Sequence, residues 1–277
     1  MCQSSFSLHS GSFDKGSNNK ETIYSNIEKL RNVNDKIKSF DDLLFKEEDI
    51  FIANFIDDKQ LFEILFLEHA SFSQDYKTIL IDIVQNSKNQ TGEDYPKVGL
   101  NHIAEDIIYT VEDLMQYYYK CMEETHNEEE FSVCIERYFN NLKFQNKIDD
   151  TLKTLEGGGL KYFSRDIIKS LVCLENEFKT ILNDNHQDVR KSLVKYSSMI
   201  GLSTTIEGNA DRKPDFTFGF KKDDKSAISV CCEPHVKLCN SSKSSDSTYY
   251  YNRLHFHVGQ EGVEEGKILI GSIGYHR

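Results

Sequence analysis

Six side chains able to move protons or hold anions crowd into residues 233–257: Glu233, His235, Lys237, Arg253, His255 and His257. Imidazoles titrate near neutral pH and suit general acid and base roles. An arginine and a lysine suit the binding of a phosphate and the stabilisation of charge that develops on it. Arg253, His255 and His257 alternate along the chain. In a strand they would share one face at intervals of about 6.6 Å. Tyr251 leads into that run and His276 stands near the C-terminal end, so both are candidate substrate contacts. The set points to phosphodiester chemistry on a sheet face, with no cofactor needed.

A second chemistry starts from carboxylates. Asp215 follows Pro214, and Glu233 lies at the far end of the next apolar run. A hairpin turning near Asp223 would set Asp215 beside Glu233, a pair able to hold magnesium or manganese. Zinc finds less support. Cys232, His235 and Cys239 are loosely spaced, no Cys-x-x-Cys pair is present, and alternation sends Cys231 and Cys232 to opposite faces. The seven cysteines are odd in number and spell no disulfide framework. Cys121, Cys134 and Cys173 fall in helical patterns and read as small buried residues.

These residues need strands to carry them, and a period of two takes over after Gly201. Phe216, Phe218 and Phe220 alternate, as do Ile228, Val230 and Cys232, and then Leu254, Phe256 and Val258. Lys267 to Ile273 forms a fourth, nearly continuous apolar strand, and Lys222 to Lys225 reads as a hairpin turn. The expectation is a four-stranded antiparallel meander. Asp215, Glu233, Arg253, His255 and His257 would share its polar face, opposite Phe218, Val230 and Phe256.

Upstream, the period is helical. Ile23, Ile27, Leu30, Val33 and Ile37 make one stripe, and Ile167, Leu171, Leu174, Phe178 and Ile181 another. Phe40 to Asn86 predicts two or three further helices. Phe131, Ile135 and Tyr138 predict one more, and Val189 to Ile200 a last one, ended by Gly201. Gly157-Gly158-Gly159 is the strongest break. Residues 1–19, rich in Ser, Gly and Asn, read as a disordered tail. The fold class is therefore α+β: a mostly α-helical part over 20–156, then a helix-plus-antiparallel-sheet domain over 160–277 that carries the site.

Charge divides along the same line. The net charge of −12 splits into −13 over residues 1–210 and +1 over residues 211–277. The acidic helical part suits a protein partner, and the near-neutral C-terminal part admits nucleic acid. Eighteen Phe and fourteen Tyr exclude a wholly disordered chain. No apolar run reaches membrane-spanning length, and no basic-then-apolar leader opens the chain, so a cytoplasmic protein is expected.

Two resemblances follow from these residues. Pro214-Asp215 with Glu233-Pro234-His235 resembles the hairpin motif of restriction-endonuclease-like nucleases, with His235 in the position of the family's lysine and Lys237 two residues beyond. That resemblance implies a metal-dependent nuclease holding its ion on Asp215 and Glu233. Over residues 187–277, helices followed by strands with Arg253-Leu254-His255-Phe256 on the penultimate one resemble RelE-type and barnase-like ribonuclease toxins. That likeness implies a metal-independent ribonuclease of the toxin or phage-defence kind. Arg253 would match the arginine of the family's penultimate strand, and Glu233, Lys237 and the histidines would supply acid and base.

Overall fold

The computed structural model describes residues 4–14, 18–67, 72–90, 94–102, 104–208, 210–238 and 251–275. The chain is α+β and forms two compact units that divide between Tyr118 and Tyr119, well upstream of the glycine run expected to part them.

The N-terminal unit is built on a parallel sheet, where the sequence suggested helices alone. In chain order it holds β1 (Ser5–Leu8), α1 (Lys20–Ser39), β2 (Leu43–Lys46), β3 (Asn54–Ile56), β4 (Lys59–Gln60), α2 (Leu61–Phe66), α3 (Gln74–Asn86), β5 (Lys88–Asn89), β6 (Lys97–Val98) and the start of α4 (Val111–Glu124). The sheet order is β5-β2-β1-β6, with every pairing parallel. Parallel neighbours need crossovers, and α1 supplies the one from β1 to β2. Its predicted stripe is wholly buried, from Ile23 through Ile37. Strands β3 and β4 form a small separate hairpin.

The disordered tail expected over residues 1–19 is thus corrected for the part described. β1 lies inside the sheet between β2 and β6, with Phe6, Leu8 and Phe13 fully buried. Alternating apolar residues in a serine-rich context formed a strand because the sheet covers both of its edges. The loop after β1 is stitched to the loop after β6. Ser12 accepts hydrogen bonds from the Leu100 N–H at its hydroxyl (3.0 Å) and from the Asn101 N–H at its carbonyl (3.0 Å). Gly99 permits the approach, since a Cβ there would fall 2.9 Å from the Ser12 Cβ.

The C-terminal unit begins with the end of α4. It continues through α5 (Glu128–Tyr138), β7 (Leu142–Phe144), α6 (Ile148–Leu152), α7 (Leu160–Asn176), α8 (Phe178–Asp184) and α9 (Val189–Ile200). Strands follow: β8 (Thr204–Ile206), β9 (Thr217–Lys221), β10 (Ala227–Cys231), β11 (Pro234–Lys237), β12 (Asn252–His257) and β13 (Ile268–Tyr275). Gly201 ends α9 in the left-handed region, at φ 69°. Helix α7 starts after Gly159, and Ser164 lies inside it.

The expected four-stranded meander is replaced by two sheets. The larger has order β7-β13-β12-β11-β8 and is mixed, because β7 joins β13 in parallel. The hairpin β9–β10 forms a sheet of its own, turning at Lys222–Ser226 as expected. Cys134 is disulfide-bonded, against the expectation that it is simply a small buried thiol. Cys173, Cys231 and Cys232 are free thiols. No described helix is long and apolar enough to cross a membrane.

The burial of β1 yields a test. Phe6→Ala should cost about 3–5 kcal/mol, the usual loss for a buried phenylalanine, read as the shift in a urea unfolding curve. A change below about 1 kcal/mol would show that β1 is dispensable.

Candidate functional site

Strand β12 lies at the centre of the five-stranded sheet, and its two faces have opposite characters. Leu254 and Phe256 face the helices, where Phe256 meets the Phe178 and Tyr196 rings edge-on at 5.5 and 6.0 Å. Arg253 and His255 face the other way. The register sets them in rows across the sheet: Lys237 pairs with Arg253 and Gly274, and Thr205 with His235, His255 and Ser272. Of the residues expected to share one face, Arg253 and His255 do so, and the ladder adds His235 beside His255 and Lys237 beside Arg253.

That face is not open. Hairpin β9–β10 folds over it and buries its own apolar side there. Phe216, Phe218, Phe220, Val230 and Cys232 pack with Val263 and Leu269 of the sheet's side. The Phe216 ring stacks on His255 at 4.6 Å and 16°. The Arg212 guanidinium lies 5.3 Å from the other partner of that stack, the Phe216 ring. Register slips between His255 and Phe256, which leaves Gly271 out of the ladder. A Cβ on Gly271 would come within 2.3 Å of the Phe218 ring, so glycine makes the close cover possible. Phe218 and Val230 thus lie over the histidine face, opposite Phe256. The sequence expected all three on one side. The physical reason is that an isolated hairpin must bury its apolar row somewhere, and the imidazole face offers aromatic bodies to pack on.

The covered imidazoles are held by defined partners. His235 is 5% exposed; its Nδ1 lies 3.1 Å from the Glu233 carbonyl and its Nε2 lies 3.0 Å from the Thr205 hydroxyl. His255 is 2% exposed, and its Nδ1 lies 3.2 Å from the Cys232 carbonyl. A carbonyl only accepts, so both rings carry their proton on Nδ1. Their centroids are 5.0 Å apart.

His257 is different. It is half-buried, and its Nδ1 accepts the Gly259 N–H at 3.2 Å, which leaves the proton on Nε2. Desolvation holds its pKa below the ordinary value of 6.5. It lines a cleft of about 390 Å³ together with Ser229, Cys231, Glu233 and Gln260.

The carboxylates expected to bind metal each take a cation from the protein. Glu233 pairs with Lys213 at 3.1 Å, and Asp215 with Arg212 at 3.4 Å. The hairpin ladder ends at Thr217–Cys231, before either carboxylate, and Asp215 sits in the 3-10 turn that precedes β9. Among the described residues no group of three or more His, Cys, Asp or Glu side chains gathers as a metal site.

Arg253 is the outlier. It is 7% exposed and has no ion pair among the described residues. It donates to the neighbouring Asn252 carbonyl at 3.0 Å, and its buried Nε–H has no hydrogen-bond acceptor among the described residues. Burial pushes its pKa down to about 10, against a weaker upward pull from Glu207, whose carboxylate already pairs with Arg212 at 3.9 Å. Like charges directly opposite in a ladder are destabilising, and the residue opposite Arg253 is Lys237. A desolvated guanidinium that stays charged and lacks a carboxylate is a receptor for an anion. At the same end of the sheet Tyr251 and Tyr275 stack at 5.6 Å and 26°, each more than a third exposed.

Glu233 and His257 therefore meet at one cleft. His235 and His255 lie beneath the hairpin. Lys237, Arg253 and Tyr251 stand at the opposite end of β12, about 13 Å from His257 by strand rise. His276 lies outside the described residues. Sequence reasoning missed Tyr275, Thr205 and Phe216. Only Tyr275 left a signal, as an aromatic residue at the exposed end of an otherwise apolar strand. No family model, curated protein or solved structure matches this chain.

Two stability measurements test this electrostatic description. Arg253→Met should raise the stability of the anion-free protein by about 1 kcal/mol or more, because it removes an uncompensated buried charge. A lower unfolding midpoint would show that the guanidinium is already compensated. His257, with its folded pKa below 6.5, binds protons more readily when unfolded. Its contribution is thus intact above pH 6.5 and lost as pH falls through the folded pKa. His257→Gln should remove that part of the acid sensitivity. An unchanged pH profile would assign it elsewhere.

Proposed function

We propose that the C-terminal unit recognises the phosphate of RNA or a related nucleotide ligand at the Lys237–Arg253 end of its sheet. The observation that carries this reading is the buried Arg253 guanidinium, which has no carboxylate partner among the described residues and lies beside Lys237 in the ladder. A phosphate oxygen would supply an acceptor for Nε, and its charge would offset that of the guanidinium. The exposed Tyr251–Tyr275 pair suits the stacking of a base next to that phosphate. An effector of the toxin or phage-defence kind fits this arrangement, with the sheet engaging RNA and the acidic N-terminal unit engaging a protein.

Cleavage is a second reading, supported by the cleft that brings Glu233 and His257 together. In it the His257 Nε2–H would donate to a phosphoryl oxygen, and Glu233, once released from Lys213, would take a proton. The cleft lies too far from Arg253 for one phosphate to touch both, so binding and cleavage are separable. A metal-independent reaction fits better than a metal-dependent one, since Asp215 and Glu233 are each engaged by a basic side chain.

The experiment uses the full chain and fluorescently labelled single-stranded RNA, with binding read by anisotropy over a salt series. Arg253→Met and Lys237→Met should each weaken binding at least about tenfold and flatten the salt dependence. Wild-type affinity in both variants would refute the phosphate site. The same RNA is then incubated in excess EDTA. Cleavage that falls by about 10²-fold or more in His257→Ala or Glu233→Gln would establish the second reading. Intact RNA alongside Arg253-dependent binding would leave recognition as the function.

A further inference from the structure

The N-terminal unit carries an exposed aromatic surface that its own fold does not use. Helix α2 buries Leu61, Ile64 and Leu65 and turns the rest of its apolar side chains outward. Phe62 is 47% exposed, Phe66 42% and Leu67 52%. The 3-10 turn Glu48–Ile52 adds Ile52, 64% exposed, and Phe51. The side chains are contiguous: the Phe66 ring lies 5.2 Å from Phe62 and 6.1 Å from Phe51. Single exposed apolar residues are ordinary, but four together, beside the half-buried Phe51, mark an interaction surface. Aromatic side chains of this kind carry most of the energy at protein interfaces.

Charge decides what kind of partner fits. Residues 41–67 hold eight Asp and Glu against two Lys, a net of −6. Glu48 and Asp49 open the same turn that ends in Phe51 and Ile52, and both are exposed. Asp57 and Asp58 are exposed in the β3–β4 turn just before α2, and Glu63 lies within α2 itself. Of the two lysines, Lys59 is bound to Glu63 at 3.4 Å, and Lys46 donates to the Val84 and Ser87 carbonyls; from outside the stretch, Lys20 pairs with Asp57 at 3.4 Å and Lys97 with Glu47 at 3.8 Å. The surface is therefore apolar at its centre and negative around it. A second copy of this chain would set its own exposed Glu48 and Asp49 against these. A nucleic acid or an anionic lipid surface would be repelled in the same way. A helix with an apolar face and basic flanks matches both features.

We propose that the Phe51–Ile52–Phe62–Phe66–Leu67 surface docks a basic amphipathic helix of a partner protein. Apolar side chains of that helix would cover Phe62 and Phe66, which stand four residues apart on α2, and its lysines or arginines would face Glu48, Asp49 and Glu63. This proposal is independent of the phosphate site, since it concerns the other unit and other residues.

The test uses the full chain and a labelled synthetic Lys/Leu amphipathic helix of about five turns, with binding read by anisotropy and oligomeric state by sedimentation. A Glu/Leu helix of the same pattern and a Lys/Ser peptide of the same charge serve as controls. The Lys/Leu helix should bind, and both controls should bind at least about tenfold more weakly. The double variant Phe62→Ser/Phe66→Ser should lose at least about tenfold in affinity, with an unchanged thermal melt because both rings are exposed. Glu48→Lys/Asp49→Lys, which leaves the aromatic residues in place, should weaken binding by a similar factor, and it decides the matter if the serine variant does not fold. Equal affinity for the Lys/Leu and Lys/Ser peptides would overturn the proposal, as would binding unaffected by either double variant. A wild-type dimer that Phe62→Ser/Phe66→Ser disperses would assign the surface to self-association instead.

Discussion

Strand β12 has to satisfy two neighbours of opposite chemistry, and the C-terminal unit is organised around that constraint. Its even-numbered residues, Leu254 and Phe256, complete the helix-facing core against Phe178 and Tyr196. Its odd-numbered residues, Arg253 and His255, then have no choice but the opposite face. A row of imidazoles and a guanidinium would be unremarkable in water. Here the hairpin β9–β10 removes the water. A buried polar group needs a partner, and the row differs in what each side chain finds. His235 has a carbonyl and a hydroxyl partner, and His255 has a carbonyl partner and the Phe216 ring stacked on it. Among the described residues Arg253 finds a single neighbouring carbonyl and leaves its Nε–H without an acceptor.

The same constraint explains why residues that look like one catalytic set are dispersed. Alternation along β12 aligns them, but the strand is extended, so Arg253 and His257 stand at opposite ends with the lid between them. Ion pairing separates the carboxylates as well. Glu233 belongs to Lys213 and Asp215 to Arg212, both cations drawn from the 3-10 turn that enters the hairpin. That turn thus contributes the ring over His255 and the charges that occupy the carboxylates. Its apolar and charged side chains act together to close the face.

The N-terminal unit solves a different problem. A parallel sheet leaves its strand ends as loops that must be tied down, and the loop after β1 is tied to the loop after β6 through Ser12 and the close approach at Gly99. Its apolar residues exceed what so small a sheet can bury. Those on the outer side of α2 and the adjoining 3-10 turn stay in solvent, within an acidic stretch of the chain. Placing acidic, aromatic surface in one unit and cationic groups in the other fits two separate partners.

Much of this was legible from the residues. The buried stripe of α1, the glycine end of α9, the turn at residues 222–226 and the common face of Arg253 and His255 all follow from local periodicity and local conformational preference. These rules hold whatever surrounds the segment. What the sequence could not supply was the identity of the neighbour. A period of two states which residues share a face, but not what will lie across it. Phe216, Phe218 and Phe220 alternate equally well as a strand of the main sheet or as a lid upon it. Likewise β1 and β7 are too short to announce themselves, and they become strands only by pairing with β2 and β6 in one unit and with β13, more than a hundred residues away, in the other. The pairing of Lys237 with Arg253, the burial of His235 and His255, and the uncompensated guanidinium are properties of register and cover. They arise from long-range packing, which minimises exposed apolar area over the whole unit and leaves no trace in the spacing of any one segment.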